Sequence, residues 1–141
     1  TEIINNTLKI YIDKNYTSTN ELAVNLSAMN IEELSVTGSG DMKFKDYKDD
    51  KLSLKISGSG NISGDGNVET LIATINGSGD LLLKKLHSKS SKININGSGD
   101  AELWVSNSLN AKINGSGDIS YYGNPKTVES KINGSGEINA N

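Results

Sequence analysis

From residue 34 onward apolar and polar residues alternate, and the alternation returns in phase at intervals of 20, 19, 20, 18 and 19 residues. Each return is marked by Gly-Ser-Gly, with first glycines at Gly38, Gly58, Gly77, Gly97, Gly115 and Gly134. Taking that glycine as zero, position −2 reads Val36, Ile56, Ile75, Ile95, Ile113, Ile132, and position +4 reads Met42, Ile62, Leu81, Ala101, Ile119, Ile138. Positions −4 (Leu34, Leu54, Ala73, Ile93, Ala111, Ser130) and +6 (Phe44, Gly64, Leu83, Leu103, Tyr121, Ala140) keep the same parity. A period of two is that of a half-buried strand. A longer fixed period is that of one unit stacked on itself. The pattern therefore predicts an all-β, single-stranded parallel β-helix, each coil marked by Gly-Ser-Gly-Asp.

The inward phase runs straight through both glycines of each motif. Gly38, Gly40, Gly58, Gly60, Gly77, Gly79, Gly97, Gly99, Gly115, Gly117, Gly134 and Gly136 are thus expected at a turn too narrow for a side chain, or one that needs positive φ. Insertions between motifs fall in polar stretches at 45–51, 64–67, 87–91 and 123–127, read as corner loops; the only proline, Pro125, lies in the last. Residues 1–33 are a less regular leading segment ahead of the 34–141 array. Strands are expected in it at 8–12 and 22–26, joined across 13–20, and a third at 34–36 where the array begins. All 141 residues read as a single domain. Asn-Gly pairs before four of the motifs allow a rival fold, an antiparallel meander turning on type I′ hairpins. A meander does not need the inward phase to continue through Gly-Ser-Gly, and a parallel coil does.

Composition narrows the functional classes. The hydrophobic share is 34%, low for a globular chain but suited to a coil whose strands are half outward. The net charge is −3, and all 14 basic residues other than His87 are Lys. Without Arg, nucleic-acid or phosphate recognition is disfavoured. Absence of Cys excludes disulfides and thiolate sites. No apolar run reaches the ~18 residues of a membrane span. The chain starts at Thr1 without Met, as a product trimmed of its targeting segment would.

The repeated Ile-Asn-Gly-Ser-Gly-Asp at 75–80, 95–100 and 113–118, with 132–137 and the looser 36–41 and 56–61, resembles the head GIN domain family of auto-transporter adhesins. The resemblance covers residues 8–141. It implies a right-handed parallel β-helix and an extracytoplasmic, cell-surface or secreted location in exported proteins of Bacteroidetes-type bacteria. It brings no catalytic site.

Candidate sites follow from the outward columns. Asp41, Asn61, Asp80, Asp100, Asp118 and Glu137 occupy position +3. Carboxylates ~4.8 Å apart repel by about 0.9 kcal/mol even at water's dielectric constant. A Ca²⁺ ion on Asp80, Asp100, Asp118 and Glu137 would relieve this; alternatively each caps backbone N–H groups at its turn, as Asn61 would equally. Otherwise no cofactor is expected. Trp104 and Tyr122 share position +7 on neighbouring rungs, and Leu82 at +5 extends that patch, giving a contact surface for a glycan or matrix partner, or for another subunit. His87, the lone histidine, reads as a solvated corner residue. A carbohydrate-cleaving enzyme would need a distinct carboxylate pair; here the acids repeat identically, so a non-enzymatic binding domain is expected. The coil ends, if open, are a route to homo-oligomers.

Overall fold

The computed structural model describes residues 1–11 and 23–141. The described residues form strands and turns without a helix, and from residue 33 onward every strand pairing is parallel. The strands are β3 (Glu33–Gly38), β4 (Met42–Gly58), β5 (Ile62–Gly77), β6 (Leu81–Gly97), β7 (Ala101–Gly115), β8 (Ile119–Tyr122), β9 (Thr127–Gly134) and β10 (Ile138–Ala140). Each stacks on its equivalent one repeat away, building a β-solenoid of about six turns. The meander is excluded: Gly38 is in register with Gly58, Gly77, Gly97, Gly115 and Gly134 in turn.

The core is the set of inward columns. Ile56, Ile75, Ile95 and Ile113 lie fully buried along one line, and Ile62, Leu81 and Ile119 along another. Burying each such side chain contributes about 1.5–3 kcal/mol. Size is balanced along a column. At position +6 the Phe44 ring fills the space that a side chain on Gly64 would need.

The two glycines of the motif answer different constraints. The first has positive φ, from 98° at Gly38 to 147° at Gly115, a region L-residues rarely adopt. Its carbonyl receives two amides from the following turn, as Gly97 O does from Ser116 (2.9 Å) and Gly117 (3.3 Å). The second glycine is buried at Gly60, Gly79, Gly99 and Gly117 and needs no special φ. A Cβ on Gly99 would overlap the carbonyl oxygen of Gly79 one turn earlier.

Several local expectations are corrected. The stretches 45–51, 64–67 and 87–91 are not loops. They lie within β4, β5 and β6, and the inserted residues are absorbed as register shifts between Phe44 and Tyr47, Ser63 and Asp65, Leu83 and His87, and Ser88 and Ser90. Bulges keep the ladder paired on both sides of the insertion, which open loops would not. Only 123–126 leaves the ladder, splitting one turn into β8 and β9.

The leading segment also differs. β1 (Glu2–Ile4) and β2 (Thr7–Lys9) form an antiparallel hairpin turned at Asn5 and Asn6, whose φ values of 48° and 62° fit a type I′ turn. The strand expected at 8–12 is thus drawn into β2 for Leu8 and Lys9, while Ile10 and Tyr11 are not strand. Residues 23–26 are not strand either, with Val24 and Leu26 exposed. Ile12, Leu22 and the 13–20 connection lie outside the described residues. The third strand, 34–36, is within β3.

Tyr47 fastens the approach to β3. Its hydroxyl lies 2.7 Å from the Ile31 carbonyl and 2.8 Å from that of Lys51. Burial, then the charges of Asp49 and Glu32, raises its phenol above the ordinary 10.0.

Two outcomes are expected. Gly99→Ala should lower the unfolding free energy by about 3 kcal/mol, because the new methyl meets backbone rather than a movable side chain; denaturant titration measures it. Because folding raises the Tyr47 pKa, its contribution is intact below about pH 10 and is lost as pH climbs through the folded value. Tyr47→Phe should flatten that alkaline decline in a pH series of melting curves.

Candidate functional site

The acid column is a hydrogen-bonded ladder. The amide of each column residue donates to the side-chain oxygen one turn earlier: Asn61 to Asp41 (3.0 Å), Asp80 to Asn61 (2.8 Å), Asp100 to Asp80 (2.9 Å), and Asp118 to Asp100 and Glu137 to Asp118 (both 2.8 Å). From Asn61 onward the +3 amide of each corner is satisfied this way. Among the described residues no group of three or more His, Cys, Asp or Glu is placed to hold a metal ion. One column over, Asn76, Asn96, Asn114 and Asn133 link amide to amide at 2.8–2.9 Å.

The aromatic residues lie on the opposite corner, where the period is broken. Between Leu83↔Leu103 and His87↔Trp104, β6 carries three residues, Lys84, Lys85 and Leu86, without counterparts in β7. Leu86 turns into the core, and the two lysines stay exposed. The shift brings His87 into register with Trp104, which is in register with Tyr122. The His87 and Trp104 rings stack with centroids 4.2 Å apart at 22°. Counting from the glycine puts Lys84, not His87, beside Trp104, so the sequence reading left His87 out of the patch. The signal that would have found it is the longer interval between Gly77 and Gly97 than between Gly97 and Gly115.

Trp104 and Tyr122 are neighbours in register and both half-buried, yet their rings do not stack on each other. Tyr122 is covered by Lys84, whose Nζ lies 4.0 Å from the ring centroid, a cation–π contact that the bulge permits. Gly123 leaves room for the indole edge, since a Cβ there would come within 3.4 Å of Trp104 Cε2. Two buried serines hold the backbone beneath. Ser88 Oγ donates to the Trp104 carbonyl (2.7 Å), so in its 2.7 Å contact with Ser91 it is Ser91 that donates.

Two open grooves flank this corner. One of about 600 Å³ runs along the His87–Trp104 pair and is lined by Lys48, Asp49, Asn67 and Glu69 as well. Glu69 is paired with Lys89 at 2.7 Å, both well exposed, so the pair adds little stability. The other, about 540 Å³, holds Leu82 with Lys43, Lys45, Lys84 and Glu102. The structure thus brings Trp104 and Tyr122 together, adds His87 and Lys84, and places the exposed Leu82 in the second groove, away from Trp104.

Asp100→Asn should leave the melting temperature nearly unchanged, since Asn61 serves the same ladder. Asp100→Ala, which strands the Asp118 amide, should cost about 1–2 kcal/mol. Thermal denaturation of both variants checks the ladder.

No curated protein matches the chain. Among solved structures it is similar to a protein from Parabacteroides distasonis described as a "putative lipid binding protein", at 24% identity and a TM-score of 0.51, over 79% of this chain. The chain spans 62% of that protein's length, and the likeness is one of fold. The family model described as "Putative auto-transporter adhesin, head GIN domain" matches residues 1–125. With the glycine corner, the acid ladder and the parallel coil all present, the chain belongs to that family.

Proposed function

We propose that this chain is a non-enzymatic, adhesin-like binding domain acting outside the cytoplasm, at the cell surface or after secretion. We infer further that it engages a glycan or matrix partner through the His87–Trp104–Tyr122 corner. The observation that carries the reading is the register of those three residues in successive turns, with His87 and Trp104 lining an open groove. The stacked His87 and Trp104 rings give a large contact area at little entropic cost. Asp49, Asn67, Glu69 and Lys48 surround it with the acceptors and donors that sugar hydroxyls need. The family's description as an adhesin supports the same reading.

The lipid-binding description of the structural relative has less support here. The coil interior is filled by its own Ile and Leu columns, and both grooves open to solvent. The acid column has a role in the coil besides any ligand, one oxygen of each carboxylate capping an amide of the next turn.

The test is a glycan and matrix-protein array with the purified chain, with and without Ca²⁺, repeated for His87→Ala/Trp104→Ala and for Leu82→Ala. The double variant should weaken binding about tenfold or more, with circular dichroism unchanged. Leu82→Ala should bind as the parent does, and Ca²⁺ should make no difference. Binding indifferent to the double variant but lost in Leu82→Ala would move the site to the second groove. Binding that requires Ca²⁺ would transfer it to the acid column.

A further inference from the structure

We infer, on the reading just proposed that the aromatic corner binds a glycan, that the occupant of the His87–Trp104 groove is an uncharged linear chain of sugars. It lies along the coil axis, with one unit to each turn. The groove crosses four successive turns, from β4 to β7. Lys48 is in register with Asn67, Asn67 with His87, and His87 with Trp104, so one row of lining residues runs across the strands. Two residues further along each strand stand Asp50, Glu69, Lys89 and Ser106, the second row. Residues two apart on a strand share a face and lie roughly 7 Å from each other. The long direction of the groove is therefore the coil axis, at right angles to the strands.

The spacing of the turns fits a sugar chain. Successive rungs are ~4.8 Å apart, close to the length that an equatorially linked hexopyranose adds to an extended chain. A β-1,4-linked chain is straight and flat, with hydroxyls along both edges. Laid in the groove, it offers one edge to each row and stays in step with the turns. The His87 and Trp104 rings press their faces together along the same axis, 4.2 Å apart at 22°, so the groove receives their rims. Ring rims carry N–H donors and the positive edge of the π system, which suit sugar oxygens. On the opposite side of the coil the Asn column closes on itself, amide to amide. In the groove each turn contributes a different group to the row, an ammonium, a carboxamide, an imidazole and an indole, so no such ladder of like groups forms.

Charge selects an uncharged chain. Lys48 and Lys89 stand among Asp49, Asp50 and Glu69, and the sign changes along the second row from Asp50 and Glu69 to Lys89. A polymer charged at every unit, whether a uronate or an amine, meets its own sign at one turn or another. An uncharged chain meets no such repulsion, and its hydroxyls donate to the carboxylates and accept from the ammonium groups.

Calorimetric titration of the full 141-residue chain with β-1,4-linked glucose and N-acetylglucosamine oligomers, one to six units long, tests this. In at least one series affinity should rise about threefold or more per added unit up to four, then level off. Lys48→Ala, at the end of the row away from Trp104, should weaken the four-unit oligomer about threefold or more and leave the two-unit oligomer unchanged. Added salt should change neither result. Affinity that levels off at one or two units, with Lys48→Ala without effect, overturns the axial chain; the corner remains a glycan site if Trp104→Ala still loses the binding. Preference for uronate oligomers overturns the inference in the same way. So does failure of both series while another glycan on the array binds and is lost in His87→Ala/Trp104→Ala. No binding to any glycan overturns it too, leaving a matrix protein as the partner of the corner. Oligomer binding indifferent to Trp104→Ala overturns both readings.

Discussion

The close approach of one backbone turn to the next at the Gly-Ser-Gly corner is the constraint on which this structure depends. The first glycine turns its carbonyl toward two amides of the following turn, and the second removes the only atom that would stand in the way. Once that contact is made at each of the five steps between the six motifs, the register of everything between is set. The Ile column, the Asn ladder and the acid ladder are consequences of identical residues being brought to identical places. A parallel coil of this kind obtains much of its order from backbone pairing, which is why a chain with 34% hydrophobic residues still builds a continuous core.

The same constraint gives the repeated acids a task in the coil. Side chains in line on successive rungs would repel if they only faced solvent. Here one oxygen of each accepts an amide from the next turn, a charge-assisted bond that the corner geometry supplies to every copy except the one with no turn after it. Asn61 sits in that column without disturbing it, receiving the amide of Asp80 as a carboxylate would. One oxygen of each column residue is thus taken up by the backbone of the next turn.

The architecture was legible in the sequence because its cause is local and repeated: Val36 and Ile132 can be aligned by counting from a glycine. What could not be read were the places where counting fails. The insertion of Lys84, Lys85 and Leu86 moved His87 beside Trp104, and Lys84 onto Tyr122, because a bulge preserves pairing after the insertion instead of opening a loop. Leu82 fell on the other side of that bulge for the same reason. In the leading segment, Asn5 and Asn6 supplied a hairpin turn that local pairing took up, so Leu8 joined β2 rather than a rung of the coil.

In a solenoid the residues that repeat serve the coil, and individuality resides where the repeat is broken. The single Trp, the single His and the cation–π lysine all cluster at the one corner whose strand carries three extra residues. That corner is also where the inner surface departs from pure hydrocarbon, with Ser88 and Ser91 buried to tie down the Trp104 backbone. Burying two hydroxyls in a core column costs stability unless each finds a partner, and here each does. A buried polar anchor under the His87–Trp104 stack contributes more to holding that stack in place than to the coil, whose neighbouring turns do without one. The unrepeated residues thus gather at the corner where the register breaks, apart from the ladders that hold the coil itself.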